Sequence, residues 1–261
     1  MALTSDLQTR TYWKTNNQTY RDETYGPAEG SGVFQNCPVS ALLYPEVGHL
    51  FHDDMEFYDA TATVGNWAAV SDGGTVAQID DNNGVLSIAT GTSDNDETYL
   101  STMAENWLVE DDRPIWFEAR VKLTEANTDD ANIIVGLSDN AAANILVDDG
   151  AGAAASYDGI AFVKVDGGTV WQFETSNAGT QVTTASAGAF TSATWTRLGF
   201  TVDHNDGTTA KVTPYINGVA GTAINLTISG LALMHGLLGV KAGDTNAETL
   251  LVDYVRVVQI R

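Results

Sequence analysis

The stretch Ile115-Trp116-Phe117-Glu118-Ala119-Arg120-Val121-Lys122-Leu123 decides the fold class. Ile115, Phe117, Ala119, Val121 and Leu123 fall on one side of an extended chain. Trp116, Glu118, Arg120 and Lys122 fall on the other. Period-2 alternation of this kind places one face on a core and the other in water, as in an antiparallel sheet.

Working outward, the same pattern recurs in short runs between turn residues. Gly84 to Ile88 follows the Asp80-Asp81-Asn82-Asn83 cluster. Asn132 to Leu137 comes next, then Tyr157 to Val165 and Thr169 to Thr175, joined by the hairpin signal Asp166-Gly167-Gly168. Thr194 to Asp203, Ala210 to Ile216, Leu237 to Ala242 and Leu250 to Ile260 complete the series. His204-Asn205-Asp206-Gly207 and Asn217-Gly218 supply turn chemistry that tolerates positive φ. Ala141 to Ser156 and Ser176 to Ala193, rich in Ala, Gly, Ser, Thr and Asn, read as loops or weak edge strands. No long segment has helical periodicity and no fixed repeat occurs. About ten strands in one domain predict an all-β, two-sheet antiparallel sandwich rather than a small barrel.

Residues 1–50 read differently from 51–261. They are polar, carry three of the five prolines (Pro27, Pro38, Pro45) and hold neither period for long. Yet Tyr12, Trp13, Tyr20, Tyr25, Phe34 and Tyr44 are aromatic, and disordered tails are usually poor in aromatics. The expectation is an extended arm that orders on a partner surface, followed by one jelly-roll domain.

Composition narrows the function. Hydrophobic residues make up 43% of 261, enough for a real core, and 34 acidic against 12 basic residues give a net charge of −22. Nucleic-acid binding needs a basic footprint, so it is excluded as an expectation, as is an anionic membrane. The acidic balance suits a divalent-rich medium or a basic protein partner. Cys37 stands alone, so no intrachain disulfide forms, and it reads as a small apolar residue. Neither a signal peptide nor a run of ~18 apolar residues that would span a membrane is expected.

Three local patterns resemble the concanavalin A-like, laminin-G-like jelly-roll superfamily. They are Trp116 to Leu123, the tryptophan-led run Trp195 to Asp203 with the hairpin strand Val212 to Gly218, and the closing strand Leu251 to Val257. The resemblance covers roughly Phe51 to Arg261. It implies a sandwich whose terminal strands pair, and its members include lectins, glycosidases, adhesion modules and viral structural proteins. The layout, with Asn36-Cys37-Pro38 and Pro45-Glu46-Val47-Gly48 leading into Asp53-Asp54, also resembles virion proteins of tailed bacteriophages.

The candidate sites are few. A retaining glycosidase needs two carboxyls about 5–5.5 Å apart, and the run Glu-x-Asp-x-x-Glu that would supply them is absent. Glu118 sits beside Arg120 and Lys122 as a surface partner, and Glu105 and Glu110 flank Trp107 at the wrong spacing. His49 and His52 are close, but zinc takes about four converging groups; His204 and His235 are scattered. If the terminal strands pair, Asp53 or Asp54 meets Asp253, the candidate site for a structural calcium. Trp67, Trp107, Trp116 and Trp171 are the candidate sugar platforms, set against their more usual place in a core.

Two functions follow as expectations. The first is a bacteriophage capsid decoration or cement protein on the virion surface, anchored by its arm to the major capsid protein or other subunits and clustering as a homo-oligomer such as a trimer. The alternative is a carbohydrate-binding adhesin module, with a glycoside hydrolase third.

Overall fold

Phe117 illustrates how the alternating runs assemble. It sits in β6 (Ile115–Thr124), opposite Val257 of β16 (Thr249–Ile260) on one side and Phe200 of β11 (Thr196–Asp203) on the other. The Phe117 and Phe200 rings stack at 4.8 Å, and Phe173 of β9 (Val170–Asn177) reaches Phe200 across the sandwich at 6.0 Å. Each ring is fully buried, a contribution of about 1.5–3 kcal/mol apiece. The computed structural model describes residues 32–59, 65–79, 84–126, 130–148, 150, 152–203 and 207–261.

Two antiparallel sheets enclose this core. The nine-stranded sheet runs β13 (Val219–Ala220), β12 (Thr209–Ile216), β11, β6, β16, β4 (Val85–Ala89), β3 (Thr75–Ile79), with β1 (Gly48–Asp53) also paired to β16 and β14 (Ile224–Thr227) to β12. The seven-stranded sheet runs β10 (Thr180–Ala189), β9, β8 (Gly159–Lys164), β7 (Ala131–Ser138), β15 (His235–Ala242), β5 (Glu97–Thr102), β2 (Trp67–Asp72). The expected two-sheet jelly roll is what forms, with one five-residue helix, α1 (Val39–Leu43), among the described residues. No helix there is long and apolar enough to cross a membrane.

Both outer faces carry parts of the chain the alternation did not foresee. Residues 33–47 lie along the nine-stranded sheet, where Val33, Phe34, Cys37 and Ala41 pack on Trp116 and Val258. Gly199 makes room, since a Cβ there would meet Val33 at 2.6 Å. Trp116 and Glu118, expected in water, are therefore 4% and 6% exposed; Glu118 also accepts a hydrogen bond from the Tyr254 hydroxyl at 2.6 Å. The boundary expected between residues 50 and 51 falls inside β1.

The weak segments divide. Ser176 to Ala193 is mostly the edge strand β10, irregular between Thr184 and Gly188, where the register against β9 shifts. The described residues of 139–158 contribute no strand to either sheet. Instead they cover the outer face of the seven-stranded sheet, where Ile145, Leu146, Ala153 and Tyr157 pack on Tyr99, Ile134, Ala161, Val163 and Leu237.

Candidate functional site

The terminal strands do pair, with Asp53 opposite Val255, but the acids meant to share a calcium do not converge. Asp53 lies with Val255 on the core side, where its carboxylate accepts from the Met55 amide at 2.8 Å and from Asn66 Nδ2 and Trp67 Nε1 at 3.0 Å each. Asp253 sits at an irregularity between Val252 and Tyr254 that turns it to the outer face, where Arg120 holds it. Asp54 is 3.5 Å from His52 Nε2. Carboxylates on opposite faces of one strand pair cannot ligate one ion. Among the described residues, no group of three His, Cys, Asp or Glu side chains is arranged to hold a metal.

The histidines separate by the same rule. His49 faces inward, its ring 5.8 Å from Trp107, and burial followed by the charge of Arg261 pushes its pKa down. His52, three residues along β1, faces outward. His235 Nδ1 donates to the Thr102 carbonyl at 2.7 Å, and His204 lies outside the described residues. The Cys37 thiol is fully buried and pushed up to about 12, so it stays protonated and inert.

Of the six arm aromatics, Tyr12, Trp13, Tyr20 and Tyr25 lie outside the described residues. Phe34 is 2% exposed beneath the Arg256 guanidinium, 4.4 Å from its ring. Tyr44 is exposed and lines a surface cleft of about 310 Å³ with Leu43, His49, Leu50 and Arg261.

Two carboxylates beneath the 139–158 cover were not singled out by sequence. Glu97 accepts from the Asn144 amide at 2.8 Å, the Tyr99 hydroxyl at 2.8 Å and Lys241 Nζ at 3.2 Å. Lys241 also donates to Asn144 Oδ1 at 3.2 Å, and the Leu146 amide donates to the Tyr99 oxygen. Glu174 accepts from the Tyr157 and Thr183 hydroxyls at 2.7 and 2.6 Å and from Gln181 at 3.1 Å. Desolvation, then the charge of Glu174, holds the Tyr157 phenol well above its ordinary range. These groups fasten the cover through charge-assisted hydrogen bonds.

The four tryptophans proposed as sugar platforms are all core: Trp67 4%, Trp107 0%, Trp116 4% and Trp171 1% exposed. Among the described residues only Trp195 remains partly open to solvent. It stands one residue before the Thr196–Val121 pair that joins β11 to β6, on the outer side of the nine-stranded sheet. Arg120 Cζ lies 4.5 Å and Lys122 Nζ 4.8 Å from the centroid of its ring system. Both cations are held near the indole by attraction to its π face. The result is a partly exposed indole with a guanidinium and an ammonium over its ring, linked through Arg120 to the Asp253 carboxylate. The signal was present in the sequence, because Trp195 begins the alternating run whose inward members are Thr196, Leu198, Phe200 and Val202.

The two-sheet topology defines the class: a concanavalin A-like jelly-roll sandwich. In structure the chain is similar to three proteins that share this fold. The endo-1,3-β-glucanase of Streptomyces sioyaensis is 12% identical, with 82% of this chain and 97% of that one covered at a TM-score of 0.55. Peanut lectin in complex with a nine-residue peptide is 13% identical, with 81% and 97% covered at 0.55. The endo-β-1,4-glucuronan lyase of the fungus Trichoderma reesei is 11% identical, with 79% and 94% covered at 0.53. No protein-family model and no curated protein sequence matches the chain significantly.

Proposed function

We propose that the chain is a carbohydrate-binding protein that takes its ligand on the Trp195 face. Trp195 carries the reading. A partly exposed indole presents apolar area to the C–H face of a sugar ring, and polar side chains beside it fix the sugar's orientation. Sharing a fold with a glucanase, a lectin and a glucuronan lyase supports a glycan as the ligand class. The engaged oxygens of Glu97 and Glu174 leave these two to hold the cover rather than to cleave a glycosidic bond. Anchoring to a virion turns on Tyr12, Trp13, Tyr20 and Tyr25, outside the described residues, and no observation on the structure favours it over glycan binding.

Affinity electrophoresis of the full chain through gels containing soluble polysaccharides tests the reading. The expected result is saturable retardation by at least one glycan, weakened about tenfold or more in Trp195→Ala, as the loss of roughly 1.4 kcal/mol of stacking requires. Free migration through every glycan contradicts it.

A further inference from the structure

We propose that the Trp195 face selects an anionic glycan, one bearing uronate carboxylates or sulfate esters; this rests on the glycan-binding reading and names its ligand class. The argument begins with where the few cations are. Of the 12 Lys and Arg in the chain, Arg10, Lys14 and Arg21 lie outside the described residues, and Lys164 and Lys241 are buried against Glu125 and Glu97. Seven remain. Arg113 pairs with Glu110 away from the sheets, and Arg261 lines the cleft with Tyr44 and His49. The other five, Arg120, Lys122, Arg197, Lys211 and Arg256, all project from the outer face of the nine-stranded sheet, opposite the inward-facing Val121, Leu198, Val212 and Val257.

Three carboxylates of the strands share that face: Glu118 receives the Tyr254 hydroxyl, Asp253 is held by Arg120, and Asp203 stands opposite Lys211; Asp54, just past β1, lies beside the outward His52. Five cations against these four anions make a locally positive face on a chain whose net charge is −22. A fold that scatters acids over its surface and gathers these bases on the face of the one tryptophan partly open among the described residues concentrates anions there. Lys122 makes no ion pair among the described residues, and its ammonium lies 4.8 Å from the centroid of the indole.

Hydrogen-bonding capacity points the same way. Lysine, arginine and the tryptophan N–H are donors without acceptor atoms, and Asp253, a carboxylate of this face, already accepts from Arg120. Neutral sugars present hydroxyls that need acceptors as well as donors. Carboxylates and sulfates accept only, and a guanidinium fork matches their geometry in pairs. An extended anionic glycan therefore satisfies the face, its ring on Trp195 and its charges on Lys122 and Arg120. Nucleic acid is disfavoured because the remaining surface repels a continuous phosphate backbone.

Calorimetric titration of the full chain with polygalacturonate, dextran sulfate and neutral laminarin tests this, using the natural sequence, Trp195→Ala, Lys122→Gln and, away from the face, Arg113→Gln. Thermal melts confirm that each variant is folded. The expected result is binding to a polyanion that falls about tenfold or more in W195A, about three- to tenfold in K122Q and not at all in R113Q, and that weakens with added salt. Whether polygalacturonate or dextran sulfate binds identifies carboxylate or sulfate as the recognised group, and either supports the proposal. Binding of laminarin with K122Q unchanged overturns the anionic class and leaves glycan binding standing. Polyanion binding indifferent to both W195A and K122Q overturns the site. No binding to any glycan removes the underlying reading itself. Concentration-dependent self-association abolished by K122Q makes the face a contact between copies and overturns the proposal.

Discussion

The two outer faces of the sandwich meet water in opposite ways. On the seven-stranded sheet, Tyr99, Ile134, Ala161, Val163 and Leu237 point outward, and the chain covers them with Ile145, Leu146, Ala153 and Tyr157. On the nine-stranded sheet, residues 33–47 cover Trp116, Val258 and their neighbours, and the covering stops where Arg120, Lys122 and Arg197 begin. An outward apolar set demands a lid, whereas a charged set can stay in water. The open half is therefore where a ligand can reach the sheet, and the covered face is where stability resides.

Mutations can break that contrast, the largest effect first. Lys241→Met strands the buried Glu97 carboxylate with its hydroxyl and amide donors but no countercharge. A loss of about 3–5 kcal/mol is expected in urea denaturation, largely restored in the double variant Glu97→Gln, Lys241→Met. Phe34→Ala empties the site under Arg256 and should cost about 3 kcal/mol, with Trp116 fluorescence shifting to the red as its cover loosens. Asp253→Ala, on the open half, removes a partly exposed pair and should move stability by less than about 1 kcal/mol.

A pH experiment sharpens the comparison from inside. Glu248 is fully buried; desolvation chiefly, with the nearby charges of Glu125, Asp130 and Asp244, raises its pKa from 4.5 to about 7 against the opposing Ala126 amide. A carboxyl whose folded pKa is raised contributes stability in full below its unfolded pKa. That contribution falls as pH rises from about 4.5 and is gone above about 7. Glu248→Gln should therefore gain stability relative to the natural chain as pH rises from 5 to 8, by an amount on the order of 1 kcal/mol. A difference that stays constant with pH contradicts the assignment.

Strands whose two faces differ in polarity were legible in the sequence. Ile115 to Leu123, Trp195 to Asp203 and Leu250 to Ile260 each form a strand close to the expected limits, because one face packs on the core. Glu97–Thr102 escaped notice because all six residues are buried while five have polar side chains, so alternation carries no hydrophobic signal. Residues 33–47 lack any period because they lie on a sheet as cover rather than within one. The site was half legible. Outward placement of Trp195, Arg120 and Lys122 follows from alternation in two runs, but that the runs are neighbours depends on sheet order. Trp116, outward by the same rule, is covered, and only the course of residues 33–41 shows it.

The most direct test of the account follows tryptophan emission of the full chain during titration with polygalacturonate and dextran sulfate. With Trp67, Trp107, Trp116 and Trp171 buried, a bound glycan should alter the emission of Trp195. A saturable change with at least one of these polyanions, absent in Trp195→Ala, is the expected result. The same change in the variant, or none in the natural chain with either polyanion, would contradict the claim that this face binds an anionic glycan.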